Sequence, residues 1–454
     1  MTDINESDLY KLFKKSEEVE SVYTIGTTVD TGLEWQAVDE CKEKVDTTLH
    51  VVKERGKIYF NIRLDQFSKV KEMRSIDNIF LISDVRQFNF AKDDGETDLT
   101  LIKDAIEKDL RLEKGLEAWK AMTGFRGKLY PKEEEFKNAD KLLKAEKSQP
   151  LENEVIGDVR KGRKRGRDPS ISTEEDILKY RVTCERTGSH AFESGQVARV
   201  IGGELQDKYH WLVDLTMYHL EVVCNLVQSE LATCLRITHE SKHRRNIMHF
   251  GPTTLRATVC YSLLRLANPK PGDIIIDPMC GGGSIPIEAA IAFPDTYVLC
   301  GDNHEKAVAR SKLNIDAQSI NRKTELITWS VAELPLKDSY VDIVVTDMVG
   351  ISLFMCQHND CLLLLFVVIK FSAIRKAKWF NDGQQSALQA LHYRVGSCCE
   401  TRYRTSGSTD LRSPQHSNGF TNRMQFIQSD KNARCQHGWA ARSCVCFEED
   451  QVTV

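Results

Sequence analysis

The sequence predicts an α/β protein: two mixed α/β units, then a parallel, doubly wound sheet. Three observations predict it. β-branched runs alternate with amphipathic helical runs over residues 21–125, again over 177–239, and most strictly over 258–348. In the last stretch the links are short, as when helices carry the chain between parallel strands. The 454 residues leave room for about three domains.

The elements follow in order. Residues 1–20 are charged and expected to be a disordered start. SVYTIGTTV (21–29) reads as a strand, LEWQAVDECKEKV (33–45) as a helix and RGKIYFNI (55–62) as a turn and strand. FSKVKEMRSI (67–76) reads as a helix and DNIFLISDV (77–85) as a strand. That order is most of a ferredoxin-like unit, assigned to 21–130 with one helical stretch at 97–125. Residues 131–176 carry many charges and little apolar periodicity, and are read as a linker. Within it RKGRKRGR (160–167) has six basic residues in eight. A solvated linker, a nuclear import signal and an RNA-phosphate contact all fit that run.

A second unit covers 177–240, with strands at 177–186, 211–215, 220–227 and 231–238 and a helix at 194–209. SKHRRNIMHFGPTTLR (241–256) leads into the third. There the helices are 258–267, 284–293 and 304–318, and the strands are 273–279, 296–303, 325–331 and 340–348.

Composition narrows the class. Hydrophobic residues are 41% and charged residues 28%, which excludes collagen-like, wholly disordered and membrane-bundle chains. Lys and Arg total 62 against 66 Asp and Glu, so nucleic-acid binding would need a local basic face. The polar, acidic start lacks the pattern of a secretory signal, and the 14 cysteines are read as mostly free thiols in a reducing compartment. Seven of them fall in the last 106 residues, marking a change of character near residue 349.

IIIDPMCGGGSIPIEAA carries the chemistry. Asp277 ends a buried strand, Gly281 and Gly283 follow in a D-x-x-x-G-x-G turn, and a helix begins at once. Such glycines let backbone approach a ligand closely, and a helix N-terminus favours a carboxylate. Asp302, nineteen residues after Gly283, ends the next strand, where an acid can accept from a ribose diol. A nicotinamide fingerprint would need a third glycine where Pro286 or Ile287 stands, so a methyl donor fits better.

HRRNIMHFGPTTLR, DPMCGGGSIPIEAA, GDN and LPLKDSYVDIVVTD together resemble the THUMP-domain tRNA guanine-N2 methyltransferases. The resemblance runs from about Tyr23 to Met348 and includes YTIGTTVDTGLEWQAVDE, RGKIYF and the RVTC strand. It implies a THUMP RNA-binding domain at 177–240, a Rossmann-like class I methyltransferase domain at 241–348, and S-adenosylmethionine as methyl donor. It further implies that Asp277, Cys280, Gly281 and Gly283 line the donor site and Asp302 holds the ribose. Thr253, Thr254 and Arg256 would close over the methionine end, Ser330 would stand at the adenine edge, and Asp347 would be catalytic. The implied partners are tRNA and a small zinc-binding activator subunit. The implied location is the cytoplasm, with a nuclear fraction if the basic run is an import signal.

The chain departs from the family pattern in three places. Gly282 replaces the threonine of C-G-T-G, and its flexibility is expected to weaken donor binding modestly. The W-D-I segment reads Trp329-Ser330-Val331, with a weaker acceptor than a carboxylate. The D-L-P-F-G motif, which holds and stacks on the guanine, reads Asp347-Met348-Val349-Gly350-Ile351. The resemblance implies S-adenosylmethionine-dependent methylation of guanine N2 at guanosine six of tRNA, with a catalytically inactive tRNA-binding THUMP protein as the alternative. Because the last motif is missing, the chain as it stands is expected not to methylate tRNA.

Residues 349–454 show no family resemblance and are read as a non-homologous tail, which leaves the sheet truncated after its fourth strand. CLLLLFVVI (361–369), expected to be exposed or misplaced, is too short to span a bilayer at ~20 residues, so no membrane partner is expected. Cys398, Cys399, Cys435, Cys444 and Cys446 with His416 and His437 do not repeat a C-x-x-C spacing, and no metal is assigned. His243 and His249 are read as structural or solvent-facing. Arg244 and Arg245 fit an RNA phosphate or a solvated turn equally.

Overall fold

The computed structural model describes residues 6–91, 93–148, 167–320, 323–331, 334–337, 340–347, 364–370, 425–426 and 442–447. The chain divides into two compact units, Met1–Lys242 and His243–Val454.

The first unit contains α1 (Asp8–Glu17), β1 (Val22–Val29), α2 (Glu34–Lys44), β2 (Val51–Glu54), β3 (Lys57–Arg63), α3 (Phe67–Glu72) and β4 (Ile76–Gln87). There follow α4 (Gly95–Asp109), α5 (Glu113–Thr123), α6 (Glu133–Ser148), β5 (Lys179–Thr187), α7 (Ser194–Tyr209), β6 (Leu212–Val213), β7 (Leu220–Val227) and β8 (Glu230–Arg236). All eight strands form one sheet in the order β2-β3-β1-β4-β8-β7-β5-β6. The sequence divides this region into separate units at 21–130 and 177–240. The sheet joins them, because β4 pairs antiparallel with β8 from Phe80 opposite Arg236 to Gln87 opposite Glu230. Helices cover it with a core that includes the fully buried Trp119 and Trp211. Each indole N–H has a partner, the carbonyls of Arg236 (2.8 Å) and Leu129 (2.7 Å), so neither ring leaves a buried donor unsatisfied.

Several expectations need correction here. The start is not disordered from residue 8 onward. Ser7 caps α1 by accepting from the Tyr10 N–H, and Leu9, Leu12 and Phe13 are buried at i, i+3, i+4 spacing. The 97–125 helix is two helices, broken where Leu110 and Leu112 turn into the core. The linker contains α6, whose Phe136, Ala139 and Leu143 pack on Ile177 and Leu212. β2 went unread beside its hairpin partner β3, across the turn where Gly56 takes φ +73°. The basic run lies outside the described residues except for Arg167.

The second unit contains α8 (Ala257–Ala267), β9 (Ile274–Asp277), α9 (Ser284–Ala292), β10 (Tyr297–Asp302), α10 (Glu305–Ala317), β11 (Thr324–Thr328), β12 (Ile343–Asp347), β13 (Leu364–Lys370), β14 (Gln425–Phe426) and β15 (Arg442–Phe447). The sheet order is β11-β10-β9-β12-β13-β15-β14. β11, β10, β9 and β12 are mutually parallel, as the alternation predicts, and the order reverses at β9. The expected stop after the fourth strand is corrected. β13, from within the apolar run at 361–369 and just beyond it, pairs antiparallel with β12 from Ile343 opposite Lys370 to Asp347 opposite Phe366. Residues 364–369 of that run are therefore a paired strand of this sheet, and β15 and β14 extend the sheet beyond it. The remaining tail residues named above, and the side chains of Cys444 and Cys446, lie outside what is described. Among the described residues no helix is long and apolar enough to cross a membrane, and no group of His, Cys, Asp or Glu could hold a metal ion.

Candidate active site

A cavity of about 340 Å³ opens at the C-terminal ends of β9, β10 and β12, where open α/β sheets place ligands. Its floor is the turn that follows β9. Gly281 and Gly283 take φ +56° and +85°, the left-handed region that glycine enters without a Cβ penalty. Gly283 is the N-cap of α9 and supplies no side-chain cap. The first residues of that helix, Ser284 and Ile285, line the cavity at the positive end of the helix dipole.

α10 pins the turn from behind. The Ser311 hydroxyl donates to the Gly281 carbonyl (3.0 Å), and the Asn314 amide donates to the Gly282 carbonyl (2.9 Å). The flexibility expected at Gly282 is thus restrained. Asn314 also holds the segment before α8, accepting from the Met248 and His249 N–H groups (3.1 and 2.8 Å) and donating to the His249 carbonyl (3.1 Å). A second clamp is the ion pair of Arg245 with the fully buried Glu288 (2.9 Å), to which Asn246 also donates (2.6 Å). Arg245 therefore serves packing, since this guanidinium balances an acid that burial would otherwise penalise. These clamps carry Gly251–Leu255 to the cavity rim, where the Gly251 N–H donates to Thr254 Oγ1 (2.7 Å).

Three carboxylates face the cavity: Asp277, Asp302 and Asp347. Asp277 is 2% exposed and accepts from Thr346 Oγ1 (2.8 Å) and from the Met279 N–H (3.2 Å). Burial pushes its carboxyl up to about 7 against those two bonds, with Asp347 and Asp302 adding like charge. Asp302 accepts from the Gly281 N–H (3.0 Å) and the His304 N–H (2.9 Å), so it ties the turn after β9 to the turn after β10. Trp329 lies under the turn, its indole N–H donating to the Pro278 carbonyl (3.0 Å). Gly301 makes room for it, because a Cβ there would stand 2.6 Å from the indole and 2.2 Å from the Ile327 carbonyl oxygen.

Of the residues picked out in the sequence, the structure brings Thr253, Thr254, Asp277, Cys280, Gly281, Asp302 and Asp347 to one cavity, with Gly283 at the adjoining cap. It does not bring Arg256 or Ser330. Arg256 is exposed at the start of α8. Ser330 is exposed because Trp329 turns inward, and extended backbone sends the next side chain the other way; Val331 lines the cavity instead. The sequence reading missed Gly251, Asn303 and Arg310 at the wall. Helical spacing was the available signal for Arg310, which lies four residues before Asn314 on α10.

Comparison with known proteins follows from this geometry. Residues 244–353 match the family described as UPF0020: RMKL-like, methyltransferase domain. The chain is 36% identical over 382 residues to the tRNA (guanine(6)-N(2))-methyltransferase THUMP3 of Bos taurus, covering 74% of this chain and 75% of that protein. It is 36% identical over 392 residues to the enzyme of the same name from Homo sapiens, covering 76% of each. In fold it resembles the structure of a predicted N6-adenine-specific DNA methylase from Listeria monocytogenes, with TM-score 0.50 at 14% identity over 75% of this chain and 82% of that one. At this identity and coverage the chain belongs to the THUMP-type tRNA guanine-N2 methyltransferases, a family of enzymes.

Proposed function

We propose that the cavity binds S-adenosylmethionine and that the chain directs its methyl group to the exocyclic N2 of a guanine in tRNA, guanosine six by analogy with its relatives. The observation that carries this reading is the convergence of Asp277, Asp302 and Asp347 with an uncapped helix N-terminus on one cavity. The residues fit the donor chemically. Three acids suit a sulfonium, an ammonium and a ribose diol, and the α9 amides suit a carboxylate. When bound, the donor supplies an electrophilic methyl group.

In this reading the pinned turn fixes the donor's position and Asp302 accepts from the ribose hydroxyls. Asp347, at the end of β12, accepts a hydrogen bond from the guanine amine, orients its nitrogen and stands where the displaced proton leaves. Besides tRNA, the reading includes a small zinc-binding activator subunit as partner.

A second reading has its own observation. Val349 and Gly350 occupy the places of the family's proline and aromatic residue, so nothing there stacks on the base. Donor and tRNA would then bind without turnover. A tritium-transfer assay on unmodified tRNA, with activator present, separates the readings. It compares the unaltered chain with a Val349→Pro, Gly350→Phe, Ile351→Gly variant. Comparable turnover from both supports methyl transfer by the chain as it stands. A gain on the order of 10²-fold in the variant supports loss of base positioning. Calorimetry that finds no donor binding by either chain overturns both readings.

A further inference from the structure

Arg310 carries an inference that rests on the donor reading and deepens it. Among the described residues lining the cavity, it is the one cation set against three carboxylates. Its Nε is buried and has no hydrogen-bond partner. An unsatisfied buried donor on a charged group is costly, and an anion drawn to the cavity-lining guanidinium would offset that cost through its charge. The side chain springs from α10 beside Ser311 and four residues before Asn314, the two residues that hold the Gly281 and Gly282 carbonyls. Its backbone is therefore fixed relative to the turn. The opposite wall is shaped for it. A Cβ on Gly251 would lie 3.2–3.4 Å from three guanidinium atoms, so a bare backbone at this position lets the group lie against the rim.

We propose that Arg310, rather than the exposed Arg256, binds the α-carboxylate of the donor's methionine moiety. The charges sort accordingly. The donor's two cationic groups and its ribose hydroxyls match the acids, and its single anionic group matches the guanidinium together with the α9 amides. A guanidinium also offers parallel N–H groups that suit a carboxylate in a way a point charge does not.

The test is calorimetry on the full chain with two probes. S-Adenosylhomocysteine keeps the amino-acid end, whereas 5′-methylthioadenosine lacks it. Arg310→Gln should weaken S-adenosylhomocysteine about ten- to hundredfold and leave 5′-methylthioadenosine within about twofold, and Arg310→Lys should recover part of the loss. An equal loss for both probes would overturn the proposal, since it would mean that the cavity had collapsed. So would unchanged affinity for S-adenosylhomocysteine. If instead tRNA binding weakens and its salt dependence drops by about one phosphate contact, Arg310 belongs to the RNA backbone and the proposal is wrong. Failure of the unaltered chain to bind either probe would remove the donor reading itself, an outcome distinct from all of these.

Discussion

Thr346 donates its hydroxyl to Asp277 across 2.8 Å, joining the next-to-last residue of β12 to the last residue of its parallel neighbour β9. The bond lies beneath the cavity and beside Asp347. It favours the ionised form, and burial still holds the carboxyl up at about 7 against it.

Donor affinity should therefore depend on pH. A cationic donor favours ionised Asp277, so affinity should rise from pH 6 to 8 and level off above the midpoint. Thr346→Val removes a bond to the charged form and should move the midpoint up by ~0.5–1 unit. Asp277→Asn should flatten the profile. Stability of the ligand-free chain runs the opposite way. The carboxyl's folded value lies above its ordinary 3.8. Its contribution is thus fully present below about 4 and is lost as pH rises through about 7. Calorimetric titrations and thermal melts across this range check both slopes; a donor affinity indifferent to pH would separate Asp277 from the donor's charge.

The clamp on the cavity rim gives a second expectation. Glu288 is fully buried, and Arg245 is its ion-pair partner. Arg245→Ala takes the guanidinium away from that buried acid, and should cost about 3–5 kcal/mol in denaturant unfolding. Because the same clamp sets Gly251–Leu255 at the rim, the variant should also bind donor more weakly. Replacing Arg244, whose neighbour makes the buried pair, should change stability by about 0.5 kcal/mol or less.

What was legible depended on how far each signal reaches along the chain. The helix at 194–209 and the strand at 220–227 were read to the residue, because apolar periodicity, capping residues and turn residues agree locally. The strand-turn-helix around Asp277 was legible because its glycines must sit where the backbone takes positive φ. Joining β4 to β8 was not legible, since that pairing links residues more than 140 positions apart. α1 and α6 were missed for another reason. Each shows a narrow apolar stripe among many charges, which is read as solvated until a neighbour buries it. Ser330 lies outside the cavity lining because its orientation follows from Trp329 turning inward, a packing decision that residue spacing does not encode.

Asp302 yields the last expectation. Its carboxylate already accepts from two backbone N–H groups, one in each turn bordering the cavity. A carboxylate offers about four acceptor positions, so two remain for the ribose diol. Asp302→Ala should then do two things at once. It should lower donor affinity about ten- to hundredfold, the equivalent of ~1.5–3 kcal/mol for charge-assisted bonds. It should also reduce the melting temperature of the ligand-free chain, because Gly281 and His304 lose their acceptor. The two effects separate in one comparison. S-Adenosylhomocysteine and 5′-methylthioadenosine share the ribose, so both should weaken equally here, in contrast to the selective loss expected at Arg310. A lowered melting temperature with donor affinity within about threefold of the unaltered chain would confine Asp302 to holding the two turns together.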